Sequence, residues 1–220
     1  MADAVIFDLD GVIVDSEPVW EEVRRRYVAT HGGTWQPDSQ RRLMGMSTGE
    51  WSHYLSAELG VSRTPEEVAA DVIDEMSRRY AARTPLIPGA VQAVRELAGG
   101  WRLGLASSSP TRLIEAALAA AGLTDVFEVT LSTEQTPRGK PAPDVYLAVA
   151  KRLGVDPARC VAVEDSSNGV RSAAAAGMRV VAIPHAGYPL DPDAQALAAV
   201  TLSSVTDLSR ETIARLDDAT

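Results

Sequence analysis

The sequence predicts an α/β fold, a parallel sheet flanked by helices and interrupted by one inserted helical segment. Short apolar runs recur along the chain, and stretches with helical periodicity separate most of them. Strands that alternate with helices form a parallel sheet with right-handed crossovers, because each parallel pair needs a long connection. The stretch from about 16 to 85 breaks this alternation, since it contains helical patterns and no convincing strand.

The apolar runs define five predicted strands, and the periodic stretches between them define four helices. Residues 4–8 are too few and too β-branched for a helix, and they are typical of a buried parallel strand. The other predicted strands are 102–106, 127–131, 160–164 and 179–183. The predicted helices, several of whose ends are marked by glycine, are 88–99, 110–122, 142–153 and 167–177.

The inserted segment is predicted to form a domain of its own. Ser16 and Pro18 are typical of a helix start, so the first inserted helix is expected to begin there. We expect residues 1–15 and 86–220 to form the core that contains the sheet, and residues 16–85 to form the helical domain. An insert at this point lies directly above the carboxyl end of the first strand, where it can act as a lid.

Composition argues against nucleic-acid and membrane partners. The 220 residues carry a formal net charge of −9 and no basic stripe, and no apolar run approaches the ~18 residues that span a bilayer. The first residues lack a basic region ahead of their apolar stretch, so no signal peptide is expected. Cys160 is the single cysteine, and its apolar neighbours predict buried packing in a reducing compartment. We therefore expect a soluble, cytoplasmic and monomeric protein.

Two carboxylates, those of Asp8 and Asp10, come at the end of the first predicted strand. Ligands of open α/β sheets bind beyond the carboxyl ends of the strands, so both acids lie where chemistry is expected. Acids this close repel each other unless a cation lies between them or one of them holds a proton. Taken alone, the pair is explained equally well as an acidic turn after a strand.

Three further polar stretches lie at or just beyond predicted strand ends. Ser107 follows the second run, whereas Ser109 precedes a proline and is explained as a helix N-cap. Lys140 is one of two lysines among 21 basic residues, and a compact ammonium suits a bridge between a carboxylate and a phosphate. Glu164 and Asp165 close the fourth run. Carboxylate oxygens are the ligands that Mg²⁺ prefers, although helix capping by Asp165 is an equally simple explanation of that residue.

In this order, the four stretches resemble the four motifs of the haloacid dehalogenase-like superfamily, and the likeness spans essentially the whole chain. The resemblance implies a Rossmann-like parallel sheet core with an inserted all-helical cap domain. It also implies that Asp8 is the nucleophile, which takes the phosphoryl group as an aspartyl-phosphate. Asp10 would protonate the leaving alcohol and then deprotonate water, while Ser107 and Lys140 would hold the transferred oxygens.

The same resemblance implies a Mg²⁺ cofactor and a phosphorylated small-molecule substrate. The ion would be held by a carboxylate oxygen of Asp8, the backbone carbonyl of Asp10 and the side chain of Asp165. Glu164 would lie in or near the coordination shell. Asp10 also separates branches of the superfamily, because the dehalogenases that attack carbon lack an acid two residues after the nucleophile. Its presence favours phosphoryl transfer.

The inserted segment resembles the small cap of sugar-phosphate phosphatases and β-phosphoglucomutases, with most likeness to hexitol and 2-deoxyglucose 6-phosphate phosphatases. We therefore expect a Mg²⁺-dependent phosphatase that hydrolyses a sugar or polyol phosphate. The loop around Met44 is expected to read the substrate, and Trp20 either stacks on a sugar face or fills the cap. The predicted substrate-binding residues are Glu17, Trp20, Met44, Gly45 and Ser108.

Two alternative functions are compatible with the same fold. The mutases carry a histidine at the position of Trp20 and basic residues in the loop where this chain has Met44 and Thr48. Those basic groups hold a second phosphate, so an isomerase is disfavoured, although Arg41 and Arg42 lie close enough in sequence to replace them. A catalytically silent binding protein is expected to lack one of the charged motif residues, and none of them is missing.

Overall fold

Parallel strands form the sheet at the centre of the protein. The computed structural model describes residues 2–44 and 46–218. The strands within these ranges are β1 (Ala4–Phe7), β2 (Arg102–Ser107), β3 (Val129–Ser132), β4 (Cys160–Glu164), β5 (Arg179–Ala182) and β6 (Val200–Thr201). Their order in the sheet is β3-β2-β1-β4-β5-β6, and every neighbouring pair is parallel. β1 therefore lies between β2 and β4.

Apolar side chains on both faces of the sheet hold the helices against it. Successive residues of a strand point to opposite faces, and β1 shows this directly. Val5 and Phe7 join one buried apolar cluster, whereas Ala4 and Ile6 join the other. All four side chains are fully buried, as expected for a central strand that is covered on both faces.

The α-helices in the described part of the chain fall into two groups. The first four lie within residues 17–82, in the inserted segment, and the other six follow residue 85. A short π-helical stretch, Tyr54–Glu58, continues the third of the inserted helices. The helices are α1 (Glu17–Thr30), α2 (Ser39–Leu43), α3 (Thr48–His53), α4 (Pro65–Ala82), α5 (Ala90–Ala98), α6 (Thr111–Ala121), α7 (Asp144–Leu153), α8 (Ser167–Ala175), α9 (Pro192–Leu197) and α10 (Arg210–Asp218). α1 and α3 pack on α4, which also contacts α6. Among the described helices, none is both long and apolar enough to cross a bilayer.

The sheet confirms the predicted fold class and adds elements that the sequence patterns missed. All five predicted strands are present, with their ends shifted by two residues at most. β6 has only two residues and α9 only six, too few for a recognisable period, and the sequence of α10 is strongly polar. The N-cap prediction for Ser109 is wrong, because α6 begins at Thr111 and the Ser109 hydroxyl donates a hydrogen bond to Asp10 instead.

The strand order brings the polar stretches of the sequence together. Because β1 is flanked by β2 and β4, the carboxyl ends of these three strands are neighbours. Asp8 follows β1, Ser107 ends β2, and Glu164 ends β4 with Asp165 directly after it. Residues that lie up to about 157 positions apart in the chain therefore share one edge of the sheet.

Candidate active site

Asp8 lies buried at the carboxyl edge of the sheet, directly after β1, with 5% of its surface exposed. Its backbone N–H donates to the carbonyl oxygen of Val163 at 2.9 Å, which continues the pairing of β1 with β4. Its Oδ1 accepts a hydrogen bond from Lys140 Nζ at 2.8 Å. Burial raises the pKa of Asp8 well above its ordinary value, and the ammonium of Lys140 opposes that shift. The carboxylate is therefore poorly hydrated and held in one orientation, which suits a nucleophile.

Lys140 is the buried cation at the centre of the site, and it comes from the loop before α7. Its Nζ donates to Asp8 Oδ1, to Glu164 Oε1 at 2.6 Å and to the backbone oxygen of Ala106 at 3.1 Å. These three acceptors match the three donors of an ammonium group. Burial alone would lower the pKa of Lys140, but the two carboxylates outweigh it and hold that pKa above its ordinary value. Lys140 is therefore charged at neutral pH despite its burial.

Both carboxylate oxygens of the fully buried Glu164 are occupied by hydrogen bonds. Oε1 accepts from Lys140 Nζ and from the hydroxyl of Tyr146 at 2.7 Å. Oε2 accepts from the backbone N–H of Asp165 at 3.1 Å and from the hydroxyl of Ser166 at 3.3 Å. Glu164 thus orients Lys140 and the loop that leads into α8, in addition to lying near the other acids.

Three buried acids form a cluster that can accommodate a metal ion. Asp8, Glu164 and Asp165 each offer a carboxylate oxygen, and these atoms lie within 4.8 Å of one another. Burial raises the pKa of Asp165, and the carboxylates of Glu164 and Asp8 raise it further. One ammonium does not offset three carboxylates, so a divalent cation with a preference for oxygen fits this place. Because the oxygens of Glu164 are already hydrogen bonded, Asp8 and Asp165 are the side chains best placed to hold it.

The carboxylate of Asp10 is held by three serine hydroxyls. Ser16 Oγ donates to Oδ1 at 2.5 Å, while Ser109 Oγ and Ser107 Oγ donate to Oδ2 at 2.7 and 3.2 Å. Ser16 precedes the inserted helices, Ser107 is the last residue of β2 and Ser109 follows it, so Asp10 links the inserted segment to the core. Sequence reasoning explained Ser16 and Ser109 as helix-start residues and missed this role. Their position at the edge shared by β1 and β2 is the signal that points to it.

A small cavity of about 40 Å³ lies above these residues, between the sheet edge and the inserted helices. Its floor is formed by core residues that include Asp8, Asp10, Lys140 and Asp165. The inserted segment closes it from above with Glu17, Trp20, Arg24, Leu43, Met46 and Trp51. Both parts of the chain therefore contribute to one site.

The predicted substrate-binding residues are distributed between this cavity and its surroundings. Those that line it are Glu17, Trp20 and Ser108. Met44 lies instead on a neighbouring cavity of about 90 Å³, where its backbone oxygen accepts a long hydrogen bond of 3.5 Å from the amide of Asn168. α2 ends at Leu43 and the backbone becomes extended at Met44, so Leu43 and Met46 reach the site in its place. Gly45 lies outside the described residues.

Two buried charged side chains of α1 face the cavity. Glu17 accepts a hydrogen bond from Gln40 Nε2 at 2.5 Å, and burial raises its pKa to about 7 against the opposing effect of Arg24. Arg24 lies over the rings of Trp20 and Trp51, with its guanidinium carbon 4.4 and 5.1 Å from their centroids. Sequence reasoning missed Arg24. Its spacing of four residues from Trp20, which places both on one helix face, is the signal that could have found it.

Replacing Gly169 by alanine is expected to disrupt the acidic cluster. A Cβ at this position in α8 would lie 2.0 Å from the carboxylate atoms of Glu164. Glu164 cannot yield without weakening its hydrogen bond to Lys140, so we expect a loss of roughly 1–3 kcal/mol in the free energy of unfolding. Thermal unfolding followed by circular dichroism measures the loss.

A matched control for this change is Gly49→Ala in α3, where an added methyl group meets nothing within 4 Å. Alanine has the higher helix propensity, so the control is expected to melt at the same or a slightly higher temperature. Equal melting temperatures for the parent protein and the Gly169→Ala variant would contradict the packing described above.

Comparisons with known proteins agree with this geometry. A family model described as haloacid dehalogenase-like hydrolase matches residues 2–177. Hexitol phosphatase B of Escherichia coli (strain K12) is 38% identical over 213 residues, which cover 94% of each chain. A phosphorylated carbohydrates phosphatase of Thermotoga maritima is 34% identical over 185 residues, covering 83% of this chain and 86% of that protein.

Among solved structures, a β-phosphoglucomutase from Clostridium difficile superposes with a TM-score of 0.86. The alignment covers 100% of this chain and 98% of that chain, and the sequences are 24% identical. At this level of identity the likeness shows that the two proteins share a fold.

Proposed function

Because the chain belongs to the haloacid dehalogenase-like hydrolases, we propose that it is a Mg²⁺-dependent phosphatase acting on sugar or polyol phosphates through an aspartyl-phosphate at Asp8. One observation carries the proposal: Lys140 holds the buried carboxylate of Asp8, and a carboxylate oxygen of Asp165 lies within 4.8 Å of it. The names of two relatives, a hexitol phosphatase and a phosphorylated carbohydrates phosphatase, support the substrate class.

In the first step, a carboxylate oxygen of Asp8 attacks phosphorus and the bond from phosphorus to the ester oxygen breaks. Asp10, two residues further along the same loop, donates a proton to the leaving alcohol. The three serine hydroxyls fix the orientation of the Asp10 carboxyl group, so the proton is delivered from one position. Lys140 offsets the negative charge of Asp8 as the phosphate approaches.

In the second step, a water molecule attacks phosphorus and the bond between Asp8 and phosphorus breaks. Asp10, now deprotonated, accepts a proton from that water. The step releases inorganic phosphate and regenerates the Asp8 carboxylate, so each group returns to its starting state. Glu164 takes no proton in this scheme, and it keeps Lys140 in place through its 2.6 Å hydrogen bond.

The proposed metal ligands are the side chains of Asp8 and Asp165 and the backbone carbonyl of Asp10. When bound, Mg²⁺ would offset the charge that otherwise keeps an anionic phosphate away from an anionic nucleophile. The clustering of carboxylate oxygens within 4.8 Å supports this assignment, because oxygen is the donor that Mg²⁺ prefers. Glu164 would lie beside the ion without being a required ligand.

We assign residues 16–85 as a cap domain that opens and closes over the core formed by the rest of the chain. The two connections run side by side: Asp15 N–H donates to the Pro85 oxygen at 2.7 Å, and Val14 forms an isolated bridge with Leu86. A cavity of about 40 Å³ has room for a few water molecules and not for a hexose phosphate. Substrate entry therefore requires the cap to move about these connections, and closure then excludes bulk water.

The positions of Arg41 and Arg42, the two arginines that lie close in sequence to the loop where the mutases carry basic residues, favour hydrolysis over the isomerase alternative. A mutase needs a cation for the second phosphate of its bisphosphate intermediate. Arg42 forms an ion pair with Glu58 at 2.8 Å and lies over the ring of Tyr54. Arg41 lines the neighbouring cavity. Among the described residues that line the site itself, neither arginine is present.

The proposed function predicts metal-dependent release of phosphate from hexitol and hexose 6-phosphates. We expect activity in Mg²⁺ to fall by at least about 100-fold when the ion is removed by EDTA, and to return when Mg²⁺ is restored. Mg²⁺ is also expected to raise the melting temperature, because an ion that binds only the folded state stabilises it. A colorimetric phosphate assay and a thermal melt measure the two effects. Undiminished turnover in EDTA would refute the metal assignment.

A further inference from the structure

The guanidinium of Arg24 is a buried cation that the reaction scheme leaves without a role. Arg24 is 5% exposed and lines the same cavity as Asp8, from the side that the inserted helices form. Within residues 2–44 and 46–218, its buried Nε–H has no hydrogen-bond partner. Buried polar groups are nearly always paired, because an unpaired donor loses its hydration without compensation. Within the described residues the structure gives no hydrogen bond to any N–H group of Arg24, and the cavity that Arg24 lines is where partners for the guanidinium are expected.

The surroundings of Arg24 keep its charge and its orientation. The rings of Trp20 and Trp51, whose centroids lie 5.9 Å apart, both contact the guanidinium by cation–π interactions. An aromatic ring is not a conventional hydrogen-bond acceptor, so these contacts leave the N–H groups of the guanidinium in need of partners. Burial lowers the pKa of Arg24 to about 10, with Glu17 and Asp10 opposing the shift, so the group is protonated at neutral pH.

Glu17 places an acceptor on the same face of α1 as Arg24. It lies seven residues before Arg24 on α1, which is two helical turns, so both side chains project from one face. Gln40 donates to its Oε2, and no ion pair within 4.0 Å joins Glu17 to Arg24 in the described residues. The two side chains thus present a donor and an acceptor to the same cavity.

The charges around the cavity indicate what kind of group the pair binds. The charged residues that line the cavity are four acids, Asp8, Asp10, Glu17 and Asp165, and two bases, Arg24 and Lys140. A second anionic group on the substrate would meet the carboxylate of Glu17 as well as the guanidinium. An uncharged group with neighbouring hydroxyls satisfies both, since a hydroxyl both donates and accepts.

We propose that Arg24 and Glu17 together recognise neighbouring hydroxyl groups in the uncharged part of the substrate, with Arg24 as donor and Glu17 as acceptor. This inference rests on the proposed phosphatase function, and it names the two residues that would select substrates with neighbouring hydroxyl groups. Arg24 contributes affinity and orientation for polyols and sugars, and it takes no part in the transfer of the phosphoryl group. An ester whose alcohol carries no further hydroxyl group gains nothing from it.

The test compares Arg24→Met, Arg24→Lys and the control Arg25→Met, an exposed arginine of the same helix. Each is assayed for kcat and KM with a hexitol 6-phosphate, with p-nitrophenyl phosphate and with 6-phosphogluconate, which adds a carboxylate. We expect Arg24→Met to lower kcat/KM for the hexitol phosphate by about 10- to 100-fold, with p-nitrophenyl phosphate changed less than about threefold. Arg24→Lys keeps the charge without the planar fork and is expected to lie in between. Arg25→Met is expected to match the parent protein.

The remaining outcomes overturn the inference. An equal loss in kcat/KM for the hexitol phosphate and for p-nitrophenyl phosphate in Arg24→Met would mean that Arg24 stabilises the structure of the site and does not recognise the hydroxyl groups. A larger loss on 6-phosphogluconate would mean that it binds an anion. If Arg24→Met fails to fold, the same comparison is made with Arg24→Lys: its loss in kcat/KM for the hexitol phosphate must exceed its loss for p-nitrophenyl phosphate. A parent protein that hydrolyses no phosphate ester in Mg²⁺ would refute the proposed function, and this inference with it.

Discussion

Replacing Asp8 by asparagine is expected to lower kcat by at least about a thousandfold, because an amide cannot attack phosphorus to form an acyl phosphate. The fold is expected to survive. An amide has nearly the shape of a carboxyl group, and its oxygen can still accept from Lys140. Burial raises the pKa of Asp8, so the folded protein disfavours the charged form and a neutral side chain imposes no new desolvation penalty.

Single-turnover assays on a hexitol phosphate and parallel thermal melts in EDTA measure the two effects. Asp125→Asn serves as the matched control, because Asp125 is exposed and lies away from the cavity. Its activity and melting temperature are expected to equal those of the parent protein. Turnover at the parental rate by Asp8→Asn would remove Asp8 from the mechanism.

Replacing Lys140 by methionine is expected to remove activity and to destabilise the fold. The change leaves two buried acids, Asp8 and Glu164, without the ammonium that lies 2.8 and 2.6 Å from them. Breaking a buried ion pair from one side costs about 3–5 kcal/mol, which lowers the melting temperature of a chain of this size by roughly 6–20 °C. Without the ammonium, nothing from Lys140 offsets the negative charge around phosphorus, so we also expect kcat to fall by about 100-fold or more.

The destabilisation by Lys140→Met is expected to grow with pH. Without the ammonium, the pKa of Asp8 in the folded protein rises further above its unfolded value. An acid whose pKa is raised by folding contributes stability at low pH, and this contribution is lost as the pH rises. The loss begins above the ordinary aspartate pKa of about 4, so we expect the melting temperatures of the variant and the parent, both measured in EDTA, to lie further apart at about pH 8 than at about pH 5.

The second lysine of the chain provides the control for this prediction. Lys151 is exposed on α7, and Lys151→Met is expected to change the free energy of unfolding by less than about 0.5 kcal/mol at either pH. A pH-independent difference for Lys140→Met would show that the buried acids do not carry the destabilisation.

The parts of the site that were predictable from the sequence are those that follow strand ends. Asp8, Ser107 and the pair at 164–165 each come at the end of an apolar run, and a parallel sheet brings such ends to one edge. Lys140 was recognisable because lysine is rare in this chain. These signals are local, since each depends on a few neighbouring residues and on one general rule of sheet topology.

The parts that were not predictable depend on how the inserted helices lie on the core. The hydroxyls of Ser16 and Ser109 meet at Asp10 from segments that are 6 and 99 residues away, and local reasoning explained both as helix starts. Met44 turned away from the site, because α2 is a single short turn whose orientation has no sequence signature. Arg24 was unremarkable as one of many arginines until its burial became visible.

By itself, the sequence determined the α/β fold class and the edge of the sheet where acids and a lysine meet, because strand periodicity and strand-end chemistry are written in consecutive residues. Only the tertiary structure decided which serines orient Asp10, that Glu164 holds Lys140 in place through a hydrogen bond, and that Arg24 lines the cavity from the side of the inserted helices. Those assignments depend on contacts between side chains of segments that are far apart in the sequence. Packing and desolvation determine these contacts, and no short stretch of sequence encodes them.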